Sequence, residues 1–316
     1  MVEQALNSDV GVNVGAETPV PASAVVRRPQ SPAVVHWRTL LGFHAEGEAQ
    51  ALVDGQGVPS EEQARMALMD RAHNARSYVS ALALRPEAGV EPIAPTARLT
   101  ALAAEPTFGE YTSGMSSWQF AMVDLRRLVV FQPWVNTEHL SRLAARLPLV
   151  GDDEGLVRLT LPLKAESSDL VEVVTAFDQG KNLWTITSDH LDLRLLGPIA
   201  GQEDKAGRKF VGFQFGIGLR AMSAVEFNGR FILKNGYHRA VALAVGGHVR
   251  VPMLILRAPS YALTGGGGVP NFSEELVMGS RPPRLEDFMS MAAVDVPRRR
   301  LKVVITMQGQ AFGIPT

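Results

Sequence analysis

The chain has 316 residues, 46% of them hydrophobic, and nearly balanced charge, with 31 Lys plus Arg against 32 Asp plus Glu. That length accommodates one large domain or two ordinary ones around a normal core, and the net charge of −1 lacks the broad positive field of nonspecific DNA binding, leaving room only for a local basic face. With no cysteine at all, disulfides, zinc–thiolate sites, iron–sulfur clusters and thiol nucleophiles are excluded.

In chain order, residues 1–33 mix Pro, Ser, Gly and isolated valines without a sustained period and are expected to be a flexible arm in which Arg27 and Arg28 are a solvated pair. The start "MVEQALNSDVGVNVG" opens on an acid and lacks a basic stretch before an apolar one, so it does not resemble a secretory signal. No apolar run is long enough to span a bilayer. A cytoplasmic protein without a membrane partner is the expectation.

Residues 34–114 are expected to form a helical N-terminal region, ordered from about Trp37. "SEEQARMALMDRAHNARSYVSAL" opens on a capping box, Ser60 to Gln63. It continues with Ala64, Ala67, Leu68, Ala75, Tyr78, Val79 and Leu82 near helical spacing, and His73 is a surface or packing residue. The Pro- and Ala-rich stretch 85–106 reads as a connection.

A core is expected over 115–260. "WQFAMVDLRRLVVFQPWVNTEHLSRLAARLPL", from Trp118, reads as a strand, a turn at Gln132-Pro133 and a helix capped by Asn136 or Thr137 and stopped by Pro148. "GDDEG" reads as a loop, "LVRLTLPL" as a strand, "SSDLVEVVTAFDQG" as a short helix capped by Ser168 or Asp169, and "LWTITS" and "DLRLLGP" as two more strands. Asn228-Gly229 between two apolar segments predicts a type I′ hairpin. The second of these strands runs into Asn235-Gly236, a helix from Tyr237 to Ala244 ended by Gly246-Gly247, and the fully apolar strand "VRVPMLIL". Residues 261–316 read as a C-terminal cover: loop-rich to 283, one short helix in "RLEDFMSM", a solvated Arg298-Arg299-Arg300 turn and a last strand "LKVVITM". The class is α/β (α+β), and no internal repeat is visible.

The turn before the 237–244 helix carries the chemistry. A helix N-terminus presents unpartnered N–H groups and a partial positive charge. Gly236 permits close backbone approach, Arg239 offers bidentate contacts to phosphate, His238 a proton or a hydrogen bond, and Tyr237 a ring or a hydroxyl. The structural alternative is a plain Asn-Gly turn in which Tyr237 packs and His238 and Arg239 are solvated.

The stretch "FILKNGYHRAVALAVGGHVRVPMLIL" resembles the ParB/sulfiredoxin-like superfamily, with its strand, Gly-x-His-Arg type turn, helix and Val251-Pro252 strand. "VDLRRLVVFQPWVNTEHLSRLAARL" is similar to that family's first box. The resemblance implies a mixed-sheet core with an insertion between the boxes, and nucleotide binding with phosphates on Asn235, Gly236, Tyr237, His238 and Arg239, supported by Gln132. ATP or CTP, with Mg²⁺, are the cofactors it points to. As an enzyme, such a protein would hydrolyse nucleoside triphosphates or transfer phosphoryl groups with His238 as proton carrier. Departures narrow this: Tyr237 stands where sulfiredoxins need a cysteine, Tyr237-His238-Arg239 replaces the acid and two arginines of partition CTPases, and Asn235 replaces the Asp of free-serine kinases. The alternative is a catalytically inactive interaction or DNA-associated module, with a protein partner or second copy at the same turn; DNA is left open, since no helix-turn-helix is evident.

Competing signals are weaker. "GIGLRA" matches a dinucleotide fingerprint but lacks room for the following helix. Ser188-Asp189-His190 cannot align a triad from adjacent side chains. His139 and His248 lack metal-ligand spacing, Trp118, Trp134 and Trp184 read as core or rim aromatics, and Asp124, Glu138 and Glu226 are the acids that the fold could bring to the turn.

Overall fold

The computed structural model describes residues 34–55, 61–163, 173–188, 193–203, 209–216, 221–268, 271–300 and 302–308. The first half contains β1 (Val34–Thr39), α1 (Glu46–Asp54), α2 (Glu62–Ser80), β2 (Val90–Pro92), α3 (Ala97–Ala103), α4 (Pro106–Thr112), β3 (Ser117–Asp124), β4 (Val129–Val130), β5 (Trp134–Asn136), α5 (Thr137–Ala144) and α6 (Asp153–Thr160). The second half contains β6 (Val173–Asp178), β7 (Leu183–Ser188), β8 (Arg194–Glu203), β9 (Lys209–Gly216), β10 (Ser223–Phe227), β11 (Arg230–Asn235), α7 (Tyr237–Val245), β12 (Arg250–Arg257), α8 (Glu274–Val277), β13 (Val294–Arg299) and β14 (Val303–Gln308). Helices and sheets are thus mixed, as expected of an α/β chain. Among the described residues no helix is long and apolar enough to cross a membrane.

The central sheet has six strands in the order β2-β3-β12-β10-β11-β4. The β10–β11 hairpin turns on Asn228 and Gly229, both at positive φ (49° and 77°), the geometry a type I′ turn demands. From β11 the chain passes through α7 and returns as β12, parallel to β10 and antiparallel to β3. Strand β12 is buried on both faces, which is why it reads as an unbroken apolar run: Val251, Met253 and Ile255 join one core cluster, and Leu254 and Leu256 another. Helix α7 buries Ala240, Ala242 and Ala244, small residues that let it lie close to its neighbours.

A second, three-stranded sheet, β13-β1-β5, joins the two ends of the chain to the middle. Val294 and Val296 of β13 pack with Leu68, Ala72 and Ala75 of α2 and with Ala49 and Val53 of α1. Helix α2 begins at Glu62 with Glu61 in the cap position; Ser60 of the expected capping box lies outside the described residues. Arg284 fastens the C-terminal region, donating to the carbonyls of Arg85, Pro86 and Arg127 and to Glu87, while Arg85 grips Asp287 with two nitrogens.

Three local expectations are overturned. "LVRLTLPL" is mostly helix, because Asp152, expected in a loop, accepts the Gly155 N–H as a cap and Leu156 and Thr160, four apart, turn inward together. Residues 173–178, expected as helix, form β6: their β-branched composition and the antiparallel partner β7 outweigh a capping signal at Ser168 and Asp169, residues that lie outside the described ones. Arg298 and Arg299 do not form a solvated turn but belong to β13, paired with Val35 and Val34 of β1. The stretch between the two family-like boxes also supplies the hairpin β8–β9 and the strands β6 and β7, to which β14 from the C-terminal region adds a third strand.

Candidate functional site

The turn between β11 and α7 is built on Gly236, whose φ of 96° is left-handed and strained for any L side chain. An added Cβ would also lie 2.6 Å from Cγ of Met222. The space that the missing side chain leaves is therefore filled from within the protein by Met222.

The residues around this glycine are brought together, and their polar atoms are largely engaged by backbone. Asn235 donates through Nδ2 to the Ala221 carbonyl at 3.1 Å. Tyr237, only 5% exposed, accepts the backbone N–H groups of Phe131 (3.1 Å) and Gln132 (3.3 Å) at its hydroxyl and donates to the Leu233 carbonyl at 2.8 Å. Burial pushes its phenol well above the usual range, so it stays a neutral three-way brace. Its ring meets Phe131 edge to face at 5.6 Å and is placed for packing, not for stacking on a ligand.

His238 accepts the Asn136 backbone N–H at Nε2, 3.0 Å away, which puts the proton of the neutral ring on Nδ1. His139 meets it edge to face at 4.7 Å, so the histidine expected on the surface of α5 is half-buried against the turn. The Asn136 side chain meanwhile caps α5 by accepting the His139 N–H. Arg239 donates through Nη1 to the Leu159 carbonyl at the end of α6, at 2.9 Å. Gln132 donates to the Trp134 carbonyl at 2.8 Å. The trio at the helix entrance thus ties α7 to the 131–136 segment and to α6.

The carboxylates singled out in the sequence are paired with arginines: Asp124 with Arg127, Glu138 with Arg300, and Glu226 with Arg257. Among the described residues no group of three His, Asp or Glu side chains is placed to hold a metal ion. His248 is buried, with its Nε2 3.2 Å from the Pro148 carbonyl. Trp118 and Trp184 are rim aromatics, against Phe108 at 4.8 Å and Phe177 at 4.7 Å. Asp189, His190 and residues 217–220 of "GIGLRA" lie outside the described residues.

What the sequence did not indicate is a groove of about 490 Å³ next to this turn, lined by Arg146, Pro148, Asp152, Gly155, Arg158, Leu159 and Pro162. Its apolar wall of two prolines and Leu159 is hung on α7 through Arg239. Its charged lining is Arg146, Arg158 and Asp152; Arg158 has Glu154 beside it at 2.5 Å, and one Asp152 oxygen accepts the Gly155 N–H. Reading Asp153–Thr160 as helix would have put Arg158 one turn from Glu154 and close to the loop that carries Arg146. The strand reading scattered them.

No protein-family model matches the chain, and neither a curated protein nor a solved structure does.

Proposed function

We propose that the chain is a divergent nucleotide-binding protein of ParB/sulfiredoxin-like type that recognises phosphates in the groove beside α6 instead of at the helix entrance itself. The observation that carries this is the groove's composition. Two arginines, Arg146 and Arg158, line this open depression of about 490 Å³. Prolines and a leucine offer the apolar surface that a base or sugar needs. Arg239 is a positioning residue that holds Leu159, and Tyr237 and His238 are braces. Binding is favoured over turnover, because the Nε2 of His238 already accepts a backbone N–H and the nearby acids are paired with arginines.

The test is a thermal-shift screen against ATP, ADP, CTP and GTP, with and without Mg²⁺, on the wild type and on Arg146→Ala/Arg158→Ala. A ligand at about 100 times its Kd adds roughly 2.7 kcal/mol, a visible shift. A selective shift lost in the double variant supports the groove; a shift that survives it places the nucleotide elsewhere.

The second reading, an interaction module without catalysis, is favoured by an apolar surface at the far end of α7. Leu149, Val150 and Val245 are 82%, 70% and 67% exposed, and the Val150 side chain comes within 4.0 Å of a Cβ placed on Gly247. No shift with any nucleotide, together with concentration-dependent self-association lost in Leu149→Ser/Val150→Ser, would favour it.

A further inference from the structure

Arg298, expected in solvent, is 8% exposed on β13. The register of the β13-β1-β5 sheet explains where it goes. Arg298 lies across from Val35, Trp37 comes two residues later on the same face of β1, and Trp134 of β5 lies across from Thr39. The guanidinium carbon sits 4.6 Å from the Trp134 ring centre and 5.6 Å from that of Trp37, and the two indoles meet edge to face at 6.1 Å. The ring faces answer its charge in part. They do not answer its N–H groups.

Both Nε and Nη2 of Arg298 are buried without a hydrogen-bond partner, as are Nε1 of Trp37 and Nε2 of His44. Nε and Nη2 are the two parallel donors on one edge of a guanidinium, the fork that fits two oxygens of a carboxylate or phosphate. In Arg65 and Arg257 that same edge is filled by an acid, Glu62 and Glu226; Arg284 also leaves its Nε buried without a partner, but both of its terminal nitrogens are engaged, by three backbone carbonyls and Glu87. Among the described residues no acid serves Arg298. Desolvation alone acts on its ionisation, lowering it, and its charge reaches His44 and adds to the lowering there. A buried cation with a vacant fork is costly to the fold, since buried charges are ordinarily paired.

We propose that the Nε/Nη2 edge of Arg298, between Trp37 and Trp134 and next to the Trp37 indole N–H, is a binding site for an oxyanion, a carboxylate or a phosphate group. It is separate from the groove at Arg146 and Arg158 and does not rest on the nucleotide assignment. Trp134, only half-buried, is the side chain that gives way as the anion enters, and the anion supplies the acceptors that the fold withholds.

The experiment is a thermal-shift titration of the full chain with sodium phosphate and with sodium acetate, each against sodium chloride of equal ionic strength. It compares the wild type, Arg298→Met, Trp37→Phe and the groove variant Arg146→Ala/Arg158→Ala. The expected result is a saturable rise of several degrees in the wild type and an undiminished rise in the groove variant. Trp37→Phe, which keeps a ring face and removes the N–H, should show a weaker rise. Arg298→Met should melt no lower than wild type without anion and show no rise with it. A rise with phosphate alone identifies a phosphate site, with acetate alone a carboxylate site, and with both a general oxyanion site. No rise in the wild type, or an equal rise in Arg298→Met, overturns the proposal. Should Arg298→Met fail to fold, Trp37→Phe decides: a response equal to wild type in that variant removes the site.

Discussion

Two half-hidden clusters of polar side chains meet the segment Phe131–Asn136, and they have opposite accounts. At the entrance to α7, the hydroxyl of Tyr237, the Nε2 of His238 and one nitrogen of Arg239 each hold a backbone group of another segment. At Arg298 a buried guanidinium keeps two donors that nothing among the described residues accepts. Buried polar groups are nearly always paired; the first cluster follows that rule at one polar atom of each side chain, and the second departs from it at two. Residue types that advertise chemistry in the sequence also hold the fold together here, while a residue that looked solvated is buried with two unpaired donors among the described residues.

The sharpest way to break this contrast is Tyr237→Phe. It strands two backbone N–H groups and the Leu233 carbonyl, and unsatisfied buried groups cost about 1–3 kcal/mol each. A loss of roughly 3 kcal/mol in urea denaturation is expected on that basis, whereas a tyrosine kept for a ligand would be removed at little cost. Gly236→Ala comes next, at about 2 kcal/mol, from its left-handed backbone and from Met222. Adding Met222→Ala should return the contact part and leave the backbone part, which a double-mutant cycle separates. Arg239→Ala should cost about 1 kcal/mol, the net worth of a part-buried hydrogen bond, and should slacken the groove wall at Leu159.

The smallest effect is in pH. Burial holds His44 below the usual imidazole range and the Arg298 charge adds to this, against the opposing pull of Glu48. Because its folded pKa is depressed, the unfolded chain binds that proton first. Stability is therefore fully present above pH 6.5, the unfolded value, and falls as pH drops below it toward the folded pKa. His44→Gln should flatten that part of the melting-temperature profile relative to wild type; superimposable profiles would show that His44 does not contribute.

Much of the central sheet was legible because its signals were local. Asn228-Gly229 demands positive φ, Gly246-Gly247 ends a helix, and "VRVPMLIL" can be buried on two faces. The 131–136 turn and Asn136 cap were legible for the same reason. The errors fell where tertiary partners decide. Leu156 and Thr160 alternate well enough for a strand until Asp152 is seen to cap them as a helix, and Val173–Phe177 follow their partner strand. Arg298 could not be placed, since the two indoles beside it come from β1 and β5, far away in sequence. The six residues expected to form a phosphate cradle were found together, but sequence could not tell that Met222 fills the space at Gly236 or that backbone groups occupy Tyr237 and His238. The groove arginines were missed with the helix that positions one of them.

The measurement that bears most directly on the contrast is the ¹⁵N spectrum of the histidine side chains, with His238 assigned through His238→Gln, recorded before and after saturation with ATP or CTP. With Nε2 of His238 held by the Asn136 amide, the expected result is an unprotonated Nε2 and a protonated Nδ1, unchanged by nucleotide. A ring protonated at Nε2, or one whose Nε2 signal moves on nucleotide addition, would return His238 to the ligand and contradict the division between a finished joint and an open site.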